Sequence, residues 1–517
     1  MTRSRAPGNS AAPPSNALFA IEAVIATIYY VALTIVVVQG AHRLALTRLY
    51  SLRGEARTPQ LVGDDVPTVT VQLPMYNERY VAARLIEAAA ALDWPRDRMQ
   101  VQILDDSTDD TRGIVDAAAE RARAEGVVVE VVRREDRVGY KAGALEHGLA
   151  SATGEFIAVF DADFVPPRDF LRRTVGAFAD ESVGMVQARW EHLNRDFSLL
   201  TRAQAVLLDG HFVVEQTARS QSGRFFNFNG TAGLWRRQAI VDAGGWDHDT
   251  LTEDLDLSYR AQLAGWRFEY LTDVTAPAEI PAEIHAFRSQ QHRWAKGAAE
   301  CCLKLARRVT KAPLPARVRF EALVHLTANF AYPLLIVLAV TMPLMARIRQ
   351  HPGYEWATPL DLTLFSIGFG SVAAFYVAAQ RRVGISLVRA LAMVPVVLAV
   401  DIGLAVHKSR AVFEALVGHR TAFVRTPKMA LVKRGQRWTS NAYLRGSLVA
   451  GLPELIIAAW CLSGAGAMLF GRYIDPWPLP FLLLFAGGFG YVGALSVAHA
   501  IPRLRSRPSS APASLAP

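Results

Sequence analysis

Apolar positions along this chain fall into two patterns, and each predicts a different kind of structure. The first is a set of long runs. Residues 17–38 contain a single charge, Glu22, and at 1.5 Å rise per residue they reach across the roughly 30 Å core of a bilayer. Comparable runs occupy 323–346, 362–379, 385–406, 447–470 and 480–501. The second pattern fills the middle. Short β-rich runs at 68–73, 101–104, 127–132, 156–160 and 183–188 alternate with helical stretches at 82–92, 111–124 and 141–150. This β-α-β rhythm predicts an open, mostly parallel sheet with helices on both faces. Ligands of such sheets bind beyond the carboxyl ends of the strands. The expected architecture is an α/β, Rossmann-like domain over 61–300, inserted between transmembrane helices of an α-helical membrane region.

Charge refines this division. Residues 61–300 carry 26 basic and 38 acidic residues, a net −12, whereas 301–517 carry 24 and 7, a net +17. A nucleic-acid binder concentrates basic charge on a soluble face; here it lies between apolar runs, which points to a membrane surface and to no nucleic-acid partner. The apolar share of 51% with 20% charged residues also excludes a chain disordered throughout. The 17–38 run continues directly into Arg43, Arg48 and Arg53, so it reads as a retained anchor whose far end is cytoplasmic. Residues 385–406 are ambiguous, because they carry Arg389 and Asp401 and end at His407. Treating them as an interfacial helix keeps the basic stretch 408–445 on the cytoplasmic side with Arg381 and Arg382. That gives five spans, an interfacial helix over 301–322, and tails over 1–16 and 505–517 that are expected to be disordered. Cys301, Cys302 and Cys461 make neither a disulfide framework nor a CxxC metal spacing.

Candidate chemistry clusters at the predicted strand ends. Asp105 and Asp106 follow one strand, in D-D-S-T-D-D-T, and Asp161 and Asp163 follow another, in D-A-D. Paired carboxylates there suit Mg²⁺ or Mn²⁺, which take hard oxygen ligands and leave positions for phosphate. Either pair alone could equally close a turn or cap a helix, such as the one starting near Thr111. In L-T-E-D-L-D-L-S, Glu253 and Asp254 could open a helix capped by Thr252. S-Q-Q-H-R-W-A-K-G (289–297) sets Arg293 and Lys296 beside Trp294, which could be an aromatic, basic interface anchor. No P-loop and no G-x-G-x-x-G is present.

The order of the pieces is more specific than any one of them. L-P-M-Y-N-E (73–78), D-D-S-T-D-D-T (105–111), K-A-G-A-L (141–145), D-A-D (161–163), T-E-D (252–254) and Q-Q-H-R-W (290–294) follow one another. In this the chain resembles processive family 2 glycosyltransferases of the cellulose synthase and hyaluronan synthase type. F-N-G-T-A-G-L-W-R (228–236) and Q-Q-H-R-W are most similar to the cellulose-synthase-like A (glucomannan mannosyltransferase) and C proteins. The resemblance implies a glycosyltransferase A-type fold and inverting transfer of a hexose from a nucleotide sugar, GDP-mannose or UDP-glucose, to a growing β-linked polysaccharide. It implies Asp254 as base and a metal held by Asp161 and Asp163. Substrate contacts are implied for Asp105, Asp106, Lys141, Glu253, Gln290, Gln291, Arg293 and Trp294, with Arg293 on the diphosphate and Trp294 under the acceptor sugar. F-V-R-T-P-K (423–428) resembles the family's gating loop through Phe423, Thr426 and Lys428, although Arg425 and Pro427 depart from its pattern. The implied location is a multi-pass cell membrane with the catalytic domain cytoplasmic. Two other readings use the same motifs: single-sugar transfer to a lipid-linked acceptor, and a non-catalytic membrane scaffold.

Overall fold

The computed structural model describes residues 16–53, 65–431, 436, 448–470 and 477–505. The expected disordered tails, apart from Asn16 and Arg505, and most of the basic stretch beyond Leu431 lie outside the described residues.

Strands β1 (Val69–Met75), β2 (Met99–Asp105), β3 (Val128–Val132), β4 (Phe156–Val159), β5 (Val183–His192), β6 (Gly233–Arg236) and β7 (Arg267–Ala278) form one sheet in the order β3-β2-β1-β4-β6-β5-β7. β1 to β4 pair in parallel, β6 runs antiparallel between β4 and β5, and β7 is parallel to β5. Every residue of β1 and β2 is buried, as a parallel layer covered on both faces requires. Its buried polar side chains pair across strands. Thr70 donates to Gln100, Gln72 to Gln102, and Gln100 and Gln102 each to Glu130. An unpaired amide there would cost about 1–3 kcal/mol, so this ladder fixes the register. The register ends with Met75 opposite Asp105. The D-D pair and the D-A-D pair thereby emerge at one edge of the sheet.

Among the described residues, five helices are long and apolar enough to cross a membrane: Ala17–Leu52, Ala316–Ile348, Ala357–Arg382, Val449–Phe470 and Leu479–Ile501. The separate interfacial helix expected over 301–322 does not form. Residues 301–311 complete the helix Ile284–Lys311, and 316–322 begin the next helix, Ala316–Thr327. Pro313 and Pro315 force the break between them, since neither can donate a backbone hydrogen bond. The ambiguous segment 385–406 forms a helix, Leu387–Gly403, followed after a 42° bend by Ala405–Leu416. Across the bend, the Lys408 ammonium donates to Asp401 at 2.9 Å and to the Tyr332 hydroxyl at 2.7 Å. The second arm lies against the helix Ile284–Lys311, where His292 faces Glu414 at 3.1 Å.

Candidate active site

A cavity opens at the carboxyl edge of β1 and β4. Its wall brings together Asp106, Lys141, Asp161, Asp163, Glu253, Asp254, Gln290, Arg293, Trp294, Phe423, Thr426 and Lys428. Two expected residues stand apart. Asp105 is not part of the wall, and Gln291 lines an adjoining cavity that also touches Asp254, Trp294, Tyr332 and Asp401.

The strand ends are welded to each other. Beyond β1 the chain turns at Asn77 (φ 55°), a conformation asparagine tolerates better than most residues. The Asn77 amide N–H donates to the Ser107 hydroxyl, and the Asn77 side-chain oxygen accepts from the Thr108 N–H at 2.8 Å. Neither aspartate of the D-D pair caps the following helix; Asp109 accepts from the Thr111 N–H instead. Asp105 is fully buried and accepts from Arg133 at 2.9 Å and from the Ser107 N–H at 3.0 Å. Asp106 takes a bidentate contact from Arg134. Both arginines follow β3 and were not singled out by the sequence. Beside them the Arg137 guanidinium covers the Tyr76 ring at 3.3 Å.

Asp161 and Asp163 each face a lysine. Lys141 donates to Asp161 at 2.6 Å and to the Gly230 carbonyl at 2.8 Å, and Lys428 donates to Asp163 at 2.6 Å. Burial opposes both ammonium charges, but the aspartates outweigh it and raise both lysine pKa values. The two carboxylates line the cavity wall and offer the hard oxygen donors that Mg²⁺ or Mn²⁺ takes, with the lysine ammoniums now standing beside them where a cation would bind.

Glu253 and Asp254 occupy the first turn of the helix Glu253–Leu263. Thr252 holds the cap position but makes no side-chain cap; its hydroxyl lies 3.5 Å from the Cys301 sulfur. Burial, then the charge of Glu253, pushes the Asp254 carboxyl up to about 7, against the pull of Lys141 and Arg293. Two glycines permit this crowding. Gly230 has φ +78°, and a Cβ there would stand 3.0 Å from Asp254 and 3.2 Å from Lys141. A Cβ on Gly297 would come within 2.5 Å of the Thr252 side chain. Without it, the helix bearing Arg293 and Trp294 could not approach T-E-D so closely.

Aromatic and loop residues complete the wall. Trp294 lies beside Trp190 (centroids 6.5 Å), which stacks on Phe212. Phe423 stacks on Tyr140 and carries the Arg293 guanidinium 4.5 Å from its centroid. Arg425 contacts Glu78 at 3.0 Å, and burial pushes Glu78 up to about 7 despite Arg425 and Lys428. Sequence reading missed Glu78, Glu279, Gly230, Gly297 and Trp190; Glu78 was in plain view as the last letter of L-P-M-Y-N-E.

Residues 67–297 match the family described as glycosyltransferase like family 2. The chain is 44% identical over 278 residues to glucomannan 4-beta-mannosyltransferase 2 of Arabidopsis thaliana, covering 53% of this chain and 52% of that protein. It is 45% identical over 306 residues to probable glucomannan 4-beta-mannosyltransferase 11 of Oryza sativa subsp. japonica, covering 58% and 53%. The chain thus spans about half the length of the curated relatives it matches. Among solved structures, a mannosyltransferase (PcManGT) of Pyrobaculum calidifontis in complex with GDP-Man and Mn²⁺ matches with a TM-score of 0.51 at 22% identity. That match covers 78% of this chain and 100% of the other, and it supports the fold.

Proposed function

We propose, from the family 2 glycosyltransferase domain that this chain carries, that the protein is a membrane-embedded, inverting, processive β-hexosyltransferase. Its donor is GDP-mannose or UDP-glucose, and its product is a β-linked mannan, glucomannan or glucan. The observation that carries the reading is the convergence of Asp254, the D-A-D carboxylates, Arg293 and Trp294 on one cavity. Curated relatives named as glucomannan mannosyltransferases favour mannosyl transfer.

In this mechanism the acceptor hydroxyl oxygen attacks the anomeric carbon, its proton passes to the Asp254 carboxylate, and the carbon–oxygen bond to the diphosphate breaks. A base with a pKa near neutrality suits that transfer. Asp161 and Asp163 would hold Mg²⁺ or Mn²⁺, which neutralises a diphosphate leaving group. Arg293 and Lys141 add fixed positive charge, and the guanidinium fork matches paired phosphate oxygens. Trp294 offers an aromatic face to the acceptor pyranose. The second cavity, running from Asp254 and Trp294 toward Tyr332 and Asp401, would receive the extended chain. The five apolar helices would lie in the plasma or inner membrane, with the catalytic domain and residues 405–431 on the cytoplasmic face. The test is incubation of purified protein with each labelled nucleotide sugar, with and without Mn²⁺. Labelled polymer that a matching β-glycanase degrades is expected. A single labelled sugar on lipid would overturn processivity.

A further inference from the structure

Lys296 is one of the largest side chains with no exposed surface in the protein, and the proposed chemistry does not use it. It lies three residues beyond Arg293 on the same helix. A buried ammonium must find partners for its three N–H donors or lose its charge. Two donors go to the root of the segment crossing the cavity mouth, the His419 carbonyl and the Thr421 hydroxyl. The third faces carboxylates on either side, Glu414 at 3.7 Å and Glu300 at 3.9 Å. Beyond Thr421 the segment supplies Phe423, Arg425, Thr426 and Lys428 to the cavity wall. Phe423 packs under Arg293, Arg425 meets Glu78, and Lys428 meets Asp163. At the far end the Glu279 carboxylate accepts from the Met429 N–H at 3.0 Å and from the Leu431 N–H.

We infer that Lys296 is a positioning residue that anchors the 419–431 segment to the helix carrying Arg293 and Trp294, and so sets where Phe423, Arg425 and Lys428 meet the donor. Its consequence for transfer rests on the glycosyltransferase reading, but the anchoring itself does not. One ammonium joins a carbonyl, a hydroxyl and two carboxylates from three chain segments: the helix Ile284–Lys311, the helix ending at Leu416, and the loop. Removing it leaves Glu414, among the described residues, facing His292 and Arg410. Among the described residues, the hydrogen bond left at the loop root is then the His419 N–H to the Glu414 carbonyl.

The experiment is hydrogen–deuterium exchange on the full-length protein in lipid nanodiscs, comparing wild type with Lys296→Met, Lys296→Arg and Thr421→Val. Exchange in the 418–431 peptide should quicken about tenfold in Lys296→Met and less in Thr421→Val, with 253–263 unchanged and Lys296→Arg near wild type. In transfer assays Lys296→Met should raise donor KM more than it lowers kcat. Unchanged 418–431 exchange in a folded Lys296→Met protein overturns the anchor. Exchange raised equally across the whole domain overturns it too, because that marks general loosening. Should Lys296→Met fail to fold, Thr421→Val decides alone by the same exchange criterion. A wild type inert toward every nucleotide sugar would strike the transferase reading and leave the exchange result standing.

Discussion

Two acidic clusters share the same pair of helices, and only one has the makings of an active site. Asp254 and Asp256 are two residues apart on the helix Glu253–Leu263, so they project in different directions. On one side Asp254 joins Glu253, Lys141 and Arg293 in the cavity. On the other, Asp256 gathers with Asp247 and Asp249, their carboxylate oxygens within 4.8 Å of one another. By spacing alone the second cluster is the better metal cage. Yet Lys304 sits on all three of its carboxylates, at 2.9, 2.6 and 3.0 Å, and Arg260 holds Asp256 at 2.7 Å. Two cations offset most of its three negative charges, and Asp249 is open to water. In the cavity, burial leaves Asp254 with its charge poorly compensated and its pKa raised. Crowded carboxylates become reactive where desolvation outruns pairing; elsewhere they are structural glue.

The largest effect that would break this contrast is expected at Asp254. Asp254→Asn should cut transfer by about a thousandfold or more while leaving donor binding near wild type. Retention of more than a tenth of the rate would remove Asp254 as base. Wild-type transfer should rise with pH through about 7, as this carboxyl loses its proton. The stability sign is opposite. A folded pKa above the unfolded value of about 3.9 means this group's contribution declines as pH rises from about 4 through about 7. Asp254→Asn should therefore melt no lower than wild type at pH 8. Next in size, Asp163→Ala should lower transfer about a hundredfold and flatten its Mn²⁺ activation curve. An unchanged curve would contradict the metal assignment. The smallest effect should come from the other cluster. Lys304→Met should cost about 1–2 kcal/mol of stability, because Asp256 keeps Arg260 and the other two pairs are partly exposed. Its transfer rate should stay within about twofold of wild type; a larger loss would mean the Lys304 cluster also serves the reaction.

The half of the sheet built from β1 to β4 is legible in the sequence because it repeats one local unit, a short apolar strand followed by a helix. The helix Thr111–Ala124 falls where the pattern set it. β6 escaped notice because its four residues, G-L-W-R, carry no period and become a strand only between β4 and β5. β7 interrupts its alternation where Tyr270, Leu271 and Thr272 are all buried, so its period is weaker than that of a half-exposed strand.

What the sequence determined by itself was the set of reactive types and their order: the carboxylates, Arg293, Trp294 and the apolar lengths. These follow from local composition, which one stretch of chain can express alone. What only the tertiary structure decided was partnership. Arg133 and Arg134 take up the D-D pair, Lys141 and Lys428 face D-A-D, and Gly230 and Gly297 let backbones close around Asp254. Those contacts join residues up to 265 positions apart, and the balance between burial and pairing that separates a base from a brace exists only once they are made.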